Sequence, residues 1–381
     1  MKRSISVVIK PTLACNLSCR HCYHAGDDRS GAPVGMDRLD RLFGLLSEEY
    51  ESVWFIWHGG EPLLLPLRFY RDAIRLQEKW FGRDSHRVGN TIQTNGLLLD
   101  KRIADFCREK EINIGVSSEG PLSRALRGEE GGAEEGIALL RKRSNRFSVG
   151  AAVSSETASG QPAIYRHFME MGVAVSLSPV TPCGGGCPGP SLAPDPGEYI
   201  RSSIEAFDEW LWDPSAEAPL IPHYLYALSA LGEPAESDCA HSSCLTRWIC
   251  MYPNGDLYPC AKGGIPEFRL CNLDDIARVS DAFSTEAFRR ILLGTVARRE
   301  KCRPCPLYES CGGGCSVDAH REGRLEDCGG ASCRIFREVF SHVKGEIDGI
   351  AGGGSDLSEC NRFVRDAVIG RLVGPGGERP A

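Results

Sequence analysis

The stretch Cys15-Asn-Leu-Ser-Cys19-Arg-His-Cys22-Tyr23 follows a short apolar run, Ile5–Ile9, near the start of the chain. Thiolates are soft ligands of the kind that hold iron–sulfur clusters, and a 4Fe–4S cluster normally takes four of them. A loop that offers three cysteines therefore predicts a cluster with one iron left open, where a substrate or cofactor can bind. The alternative is a zinc site that closes with a fourth ligand, for which His21 or His24 is available.

The composition is that of an ordinary globular protein with many cysteines. The chain has 381 residues, of which 42% are apolar and 25% charged, and its net charge is −7. The length predicts two or three domains, or a barrel with an appendage. The negative charge argues against binding to nucleic acid or to a membrane surface. No apolar run is long enough for a membrane span or a signal peptide, so the 18 cysteines indicate metal sites and a cytoplasmic location rather than disulfides.

Short apolar runs alternate with helical patterns up to about residue 177. The candidate strands are Ile5–Lys10, Ser52–Trp57, Val88–Thr94, Ile112–Ser117, Phe147–Val153 and Val173–Ser178. Between them, apolar residues recur at helical spacing, as in the set Leu39, Leu42, Phe43 and Leu46. Six β-α units in succession predict a parallel sheet curled into a partial barrel.

Polar motifs follow the first four candidate strands. After the cysteine loop come His58-Gly59-Gly60-Glu61-Pro62, Gln93-Thr94-Asn95-Gly96 and Ser117-Ser118-Glu119-Gly120-Pro121. Each motif alone could be an ordinary turn. Parallel barrels, however, place their chemistry at the carboxyl ends of the strands, so the shared position of these motifs predicts one site.

Two later regions are also rich in cysteine. Cys183 and Cys187 lie in a Gly/Pro-rich segment after the sixth candidate strand, which is interpreted as a substrate-contacting loop, a metal or redox pair, or a plain connection. From Cys239 to Cys333 the cysteines are closely spaced, and Pro253-Asn254-Gly255 among them predicts a hairpin. We expect metal, rather than an apolar core, to hold this part together. Zinc is the alternative to iron–sulfur clusters here.

Together these motifs resemble the radical S-adenosylmethionine (SAM) enzymes that carry a C-terminal SPASM extension. The resemblance implies an α/β fold, with a partial (β/α)6 TIM-type barrel at residues 1–220, a bridge and SPASM domain at 221–340, and a C-terminal helix and flexible tail at 341–381. The residues that would hold the SAM-binding cluster are Cys15, Cys19 and Cys22. The residues that would contact SAM are Gly59, Gly60, Glu61 and Pro62, which receive its amino group, together with Asn95 and Ser117.

By the same resemblance, the SPASM extension would hold two auxiliary 4Fe–4S clusters. The ligands of the first would be Cys239, Cys244, Cys260 and Cys315. The ligands of the second would be Cys302, Cys305, Cys311 and Cys333. Cys250 competes for the first cluster and Cys328 for the second, although Cys250 lies in a strand-like segment typical of a packed thiol.

The resemblance further implies that a 5′-deoxyadenosyl radical formed from SAM abstracts hydrogen from a peptide or protein, with a flavodoxin or ferredoxin as reductant. The chain is similar to the anaerobic sulfatase maturases, but those carry an Asp, proposed as the general base, where this chain has Ala261. This difference favours a ribosomally made precursor peptide, modified by a carbon–carbon or thioether crosslink or by epimerisation, over formylglycine formation.

Recognition of such a peptide is expected to depend on the barrel, the SPASM domain or a separate leader-peptide-binding protein. Only 14 residues precede Cys15, which is too few for a recognition domain. The competing class of function is a non-catalytic iron–sulfur electron carrier or zinc-binding module, which would not need Gly-Gly-Glu-Pro beside an open cluster.

Overall fold

One mixed sheet joins the two cysteine-rich regions in the computed structural model, which describes residues 4–24, 26–83, 86–128, 132–181, 191–232, 244–354 and 356–373. Its strands in chain order are β1 Ser4–Ile9, β2 Ser52–Trp57, β3 Val88–Thr94, β4 Asn113–Ser117, β5 Phe147–Val153, β6 Val175–Pro179, β7 Leu220–Ile221, β8 Trp248–Met251, β9 Asp256–Tyr258 and β10 Cys271–Asn272. Their order across the sheet is β10-β9-β8-β1-β2-β3-β4-β5-β6-β7.

The six predicted β-α units are confirmed. Strands β1 to β6 pair in chain order and in parallel, each within two residues of its predicted bounds. The helices of this part are α1 Met36–Glu49, α2 Leu67–Phe81, α3 Lys101–Glu109, α4 Ser123–Arg127, α5 Gly132–Lys142, α6 Gln161–Glu170 and α7 Pro196–Leu211. Helices that alternate with parallel strands give the arrangement of a partial TIM-type barrel.

The barrel core follows from the period of each element. Along β2, Val53, Phe55 and Trp57 are buried because alternate side chains of a strand point to the same face. Helix α1 packs with the predicted face, Leu39, Leu42, Phe43 and Leu46, all of which are fully buried. The apolar core thus lies beneath the carboxyl ends of the strands and holds their positions.

The sheet continues past β1 into the C-terminal half. Strand β8 pairs in parallel with β1, with Ser6 opposite Trp248, and β9 turns back antiparallel to β8 with Cys250 opposite Tyr258. The predicted hairpin is therefore confirmed. Gly255 has φ +91° in its turn, a conformation that glycine adopts without steric cost. The C-terminal cysteines are carried on an extension of the barrel sheet.

The expectation that mainly metal, rather than an apolar core, holds this C-terminal part together is wrong for residues 245–291. Leu257, Phe268, Leu273 and Ile291 are buried there and belong to the same apolar core as the barrel. Burial of such side chains contributes about 1.5–3 kcal/mol each. Between residues 302 and 333 the only buried apolar side chain is that of Val317, so the expectation remains for this stretch.

The C-terminal helices pack back on the barrel. They are α8 His223–Ala230, α9 Glu286–Cys302, α10 Tyr308–Cys311, α11 Ser316–Arg321, α12 Ala331–Ala351 and α13 Arg362–Val373. Helix α12 packs on α7 and α8 and crosses the predicted boundary at residue 340, so the division into domains stays a prediction. Among the described residues, no helix has both the length and the apolar character needed to cross a membrane.

Candidate functional site

The first three polar motifs meet at one end of the sheet. The segment after β2 is hydrogen-bonded to the segment that leads into the cysteine loop: Gly60 N donates to Thr12 O over 3.0 Å, and Glu61 N to Ala14 O over 2.8 Å. From the end of β3, Asn95 Nδ2 donates to Asn16 Oδ1 inside the loop over 2.7 Å. The predicted shared site is thus assembled by direct contacts among the motifs.

The two glycines of the Gly-Gly-Glu-Pro segment are required by this contact. Gly59 has φ +142°, and a Cβ atom on it would lie 2.5 Å from Thr12 O. A Cβ atom on Gly60 would lie 2.1 Å from Ala14 O. Any larger residue would push the two segments apart. Among the described residues, the carbonyl groups of Gly59 and Gly60 accept no backbone hydrogen bond, so they remain available to a donor such as an ammonium group.

The carboxylate of Glu61 is hydrogen-bonded to other residues of the chain. It is 1% exposed, Oε1 accepts from Leu63 N and Thr94 Oγ1 over 2.9 and 2.8 Å, and Oε2 accepts from Asn95 N over 2.8 Å. Burial raises the pKa of Glu61, and the three hydrogen bonds oppose that rise. Glu61 therefore fixes the ends of β2 and β3 against each other. Thr94, which lies inside a quoted motif, was not singled out from sequence.

The three cysteines of the loop are each partly exposed. Burial is the main cause of the raised pKa of the Cys19 thiol, and the neighbouring thiols of Cys22 and Cys15 add to it. Burial also raises the pKa of Cys15. Because metal ligands must be thiolates, iron binding here would displace protons.

Two arginines that sequence analysis did not identify contact this loop. Arg29 Nη2 donates to Cys22 Sγ over 3.3 Å, and Arg127 Nη1 lies 4.0 Å from Cys19 Sγ. Arg127 also forms a two-point ion pair with Glu119, at 2.6 and 2.7 Å. The sequence signal for Arg127 was Glu119, because a carboxylate that is buried at the end of β4 requires a cation as its partner. Ser117, from the same motif, accepts from Gln93 Nε2 over 2.9 Å.

Of the two histidines considered as zinc ligands, His24 is buried and His21 is half-buried. Burial lowers the pKa of both His21 and His24 to about 4. His24 Nδ1 is hydrogen-bonded to Asp27. Within the described ranges, no three His, Cys, Asp or Glu side chains converge as they would around one metal ion, so the grouping of the cysteines into centres stays a prediction.

The C-terminal cysteines lie mostly at helix ends. Cys302 ends α9 and Cys311 ends α10. Burial raises the pKa of Cys302 to about 11, and the thiols of Cys328, Cys311 and Cys333 add to that rise, so both candidates for the last ligand, Cys328 and Cys333, remain. Cys244, Cys260 and Cys315 pack against the apolar core. Three predicted residues lie outside the described residues, namely Cys183, Cys187 and Cys239.

Arg298 organises the loops that carry these cysteines. It is 2% exposed, and its guanidinium donates to Gly313 O, Leu325 O and Ser316 Oγ over 2.9, 2.7 and 3.1 Å. Arg298 lies on the buried side of α9, and no pattern in the sequence indicated this, because arginine in a helix is ordinarily exposed.

Ala261 occupies the turn after Cys260. Its methyl group cannot take a proton, and its carbonyl accepts from Lys10 Nζ over 3.2 Å. Asp318 is a carboxylate that contacts this turn, because its Oδ2 lies 3.3 Å from Lys262 Nζ. Its buried Oδ1 has no hydrogen-bond partner among the described residues. A carboxylate is therefore present near the turn but not at position 261 itself.

The donor set fits a cluster that binds SAM. Three thiols share one loop, and the tight glycine segment hydrogen-bonded to that loop leaves backbone acceptors beside it. Thiolate sulfurs suit iron, and backbone carbonyls suit an ammonium group.

Comparison with known proteins agrees with this site. Residues 9–153 match the radical SAM superfamily. The chain is 27% identical over 355 residues to a serine-type anaerobic sulfatase-maturating enzyme of Klebsiella aerogenes, covering 89% of this chain and 86% of that one. It is 26% identical over 362 residues to a cysteine-type enzyme of that name from Clostridium perfringens, covering 89% and 96%.

Solved structures show the same fold. Native anSMEcpe with bound AdoMet superimposes with a TM-score of 0.78 at 23% identity, covering 91% of this chain and 99% of that one. Streptococcus suis SuiB bound to the precursor peptide SuiA gives a TM-score of 0.63 at 17% identity, covering 87% and 76%. Residues 9–153 thus form a radical SAM domain, and the chain is an enzyme that is similar along most of its length to the anaerobic sulfatase-maturating enzymes.

Proposed function

We propose that this enzyme oxidises a side chain in a peptide or protein substrate, in the manner of the sulfatase-maturating enzymes, using SAM and a 4Fe–4S cluster held by Cys15, Cys19 and Cys22. The observation that carries the proposal is the hydrogen-bonded contact between the segment entering this loop and Gly60–Glu61. An electron carrier would need the thiols but not this adjoining segment.

The four residues of the Gly59–Pro62 segment have separate roles in this proposal. The carbonyls of Gly59 and Gly60 would accept from the ammonium group of SAM, while Glu61 and Pro62 hold the segment in shape. Asn95 and Ser117 would line the nucleotide side of the pocket. When bound, the cluster and SAM supply hydrogen-atom abstraction, with methionine and 5′-deoxyadenosine as products. The chain itself orients the substrate and excludes water at the strand ends.

We also propose the two auxiliary clusters, on the cysteine sets given above. The thiols of Cys328, Cys311 and Cys333 act electrostatically on that of Cys302, which supports the second set. Arg298 is acted on in the same way by Cys315 and Cys244 of the first set and by Cys302 of the second. The substrate radical must lose one more electron for a two-electron oxidation, and these clusters would accept it. A flavodoxin or ferredoxin would supply the electron that cleaves SAM. The metal-ligand spacing of the cysteines supports a cytoplasmic location.

The relatives and Ala261 point to different substrates. The prediction that placed a precursor-peptide crosslink first is not confirmed, because the curated relatives that cover 89% of the chain are sulfatase-maturating enzymes. We therefore propose oxidation of a serine or cysteine to formylglycine first. Ala261 keeps modification of a precursor peptide as the second candidate, with a separate leader-binding protein as a possible partner, since the proton acceptor of the first reaction is absent at that position.

The cofactor part of the proposal is tested by anaerobic reconstitution with iron and sulfide. Three four-iron clusters predict about twelve iron atoms per chain. Addition of SAM and dithionite is expected to give methionine and 5′-deoxyadenosine. Iron near four per chain would remove the auxiliary clusters, and iron uptake without these products would leave only the electron-carrier function.

The substrate part is tested with two peptides, one carrying a sulfatase serine or cysteine site and one encoded beside the gene for this enzyme. Formylglycine is an aldehyde and is captured by a hydrazide reagent, whereas a carbon–carbon or thioether crosslink is not. Hydrazide-reactive product from the sulfatase peptide is expected. Product from the second peptide alone, without an aldehyde, would favour the second candidate.

A further inference from the structure

Lys10 is a buried lysine that lies between the barrel sheet and the turn after Cys260. It directly follows β1 and is 0% exposed. Its ammonium donates to Tyr252 Oη over 2.9 Å and to Ala261 O over 3.2 Å. It also lies over two aromatic rings, 4.1 Å from the ring centroid of Tyr252 and 5.2 Å from that of Tyr23. Within the described ranges, no ion pair includes it.

A buried ammonium without a carboxylate is costly. Removing such an ion from water costs several kcal/mol even after relaxation, and two neutral hydrogen bonds and two aromatic faces recover only part of this. Burial lowers the pKa of Lys10. The lysine is therefore in a place that disfavours its charge unless further negative charge is present.

That charge is available from thiols around it. Two contacts of Lys10 are made by residues that directly follow cysteines, since Tyr23 follows Cys22 and Ala261 follows Cys260. Asp27 also attracts the ammonium but forms no ion pair with it among the described residues, and burial raises the pKa of Cys250 to about 11, so that thiol is neutral. Cys22 belongs to the SAM-binding loop and Cys260 to the first auxiliary set. Iron binding would convert both to thiolates within net negative centres.

We propose that Lys10 is the built-in countercharge shared by the two iron–sulfur centres that contain Cys22 and Cys260, and that it raises their reduction potentials. The inference rests on the proposed function for the identity of these centres. Reduction adds one electron to a centre, with no bond made or broken, and a nearby cation stabilises the more negative, reduced form.

The surroundings hold Lys10 rigidly between the two regions. Lys10 N donates to Met251 O over 2.9 Å, which extends the pairing of β1 with β8. A Cβ atom on Gly264 would lie 1.8 Å from Tyr252 Oη, so the glycine allows the tyrosine to reach the ammonium. This placement suits a fixed charge better than a group that moves during turnover.

The test compares midpoint potentials, measured by electron paramagnetic resonance in redox titrations of anaerobically reconstituted full-length protein. Lys10→Met is expected to make the potential of at least one centre more negative, by roughly tenfold in the reduction equilibrium, which is about 59 mV for one electron. Lys10→Arg keeps the charge and should retain the wild-type potentials. Tyr252→Phe removes the contact but keeps the charge, and should also retain them. Lys79→Met, which removes an exposed lysine on α2, is the remote control.

Unchanged potentials in Lys10→Met, or the same shift in Tyr252→Phe, would overturn the inference and leave Lys10 a structural residue. If Lys10→Met takes up no iron, its potentials cannot be measured, and Lys10→Arg becomes the deciding variant. A charge role requires Lys10→Arg to bind iron and to show the wild-type potentials, and a failure of either would refute it. Absence of iron in the wild type would instead refute the proposed function, so the two failures are distinguishable.

Discussion

The two cysteine-rich regions are built in different ways. The segment that leads from β1 into the Cys15–Cys22 loop is tied by backbone hydrogen bonds to the segment after β2, and its Leu13 packs against the apolar core. The stretch 302–333 carries Cys302 and Cys311 at the C-terminal ends of two helices, exposes Cys305 and Cys328, and buries one apolar side chain, Val317. The first site is shaped by its scaffold, whereas the second depends on Arg298 and on the metal it is proposed to hold.

The two cysteine-rich regions therefore depend on different contacts to keep their shape. At the first site, glycines and Glu61 hold segments at fixed distances, so a small displacement would remove a functional geometry. In the second, Val317 is the one buried apolar side chain, so the buried hydrogen bonds of Arg298 take a larger share in opposing local unfolding. The predictions below test this contrast, in order of decreasing expected effect.

The largest effect is expected from Gly60→Ala. The added Cβ would meet Ala14 O at 2.1 Å and separate the glycine segment from the cysteine loop. We expect SAM cleavage to fall about 100-fold, since displacements of about 1 Å can cost that much, while iron in the C-terminal region is retained. Gly150→Ala in β5, where nothing lies within 4 Å of the new atom, is the matched control. Equal activity in the two variants would refute the scaffolded site.

Arg298→Leu is expected to act on the second region alone. Its loss removes a donor from the part-buried carbonyls of Gly313 and Leu325, and an acceptor left unsatisfied away from water costs about 1–3 kcal/mol. Hydrogen exchange should increase across residues 302–333, and iron should fall towards that of the first cluster. Arg303→Leu, which removes an exposed partner of Glu300, should change neither. Loss of SAM cleavage in proportion to iron would show that the regions are not separable.

Acid is expected to weaken the helices that join the two regions. His223 in α8 is 1% exposed and stacks on Phe207 of α7, and burial lowers its pKa to about 4. Because the unfolded histidine titrates near 6.5, it takes up a proton between about pH 6.5 and 4 that the folded one does not, and stability falls as pH falls, by roughly 3 kcal/mol in total. Thermal unfolding of His223→Gln should show a shallower loss over this range.

The exposed His86→Gln is the control for that measurement. A slope in His223→Gln as steep as that of the wild type would place the acid sensitivity elsewhere, such as at the buried His24.

The smallest effect is expected from Cys250→Ala. Cys250 is fully buried in β8 opposite Tyr258, so we interpret it as a packed thiol whose loss costs about 1 kcal/mol. Iron content should be unchanged, whereas Cys260→Ala should lose the first auxiliary cluster. If the two variants lost iron equally, Cys250 would be a ligand and the proposed first set would need revision.

Sequence patterns predicted the parts of the fold and site that are local. The strands β1 to β6, the face of α1 and the hairpin at Gly255 each follow from periodicity or turn chemistry within a few residues. The pairing of β8 with β1 and the contact of Lys10 with Tyr252 join residues more than 200 positions apart. No spacing rule reports such contacts, because they arise from tertiary packing.

Within the site, the cysteines and glycines were found because their spacing is specific to their chemistry. Arg29, Arg127 and Arg298 were missed because a basic side chain in sequence looks the same whether it is solvated or buried. Glu61 was identified, but as a ligand for an ammonium group. Its three hydrogen bonds to the chain itself became visible only in the structure.

The parallel pairing of β8 with β1 has a consequence for biosynthesis. Strand β1 emerges early from the ribosome, but one of its two edges stays unpaired until residues near Trp248 have been made. An unpaired strand edge is prone to aggregation, and such long-range pairing slows folding. Nascent chains halted before β8 should therefore require chaperones, and expression of the barrel half alone should yield insoluble material.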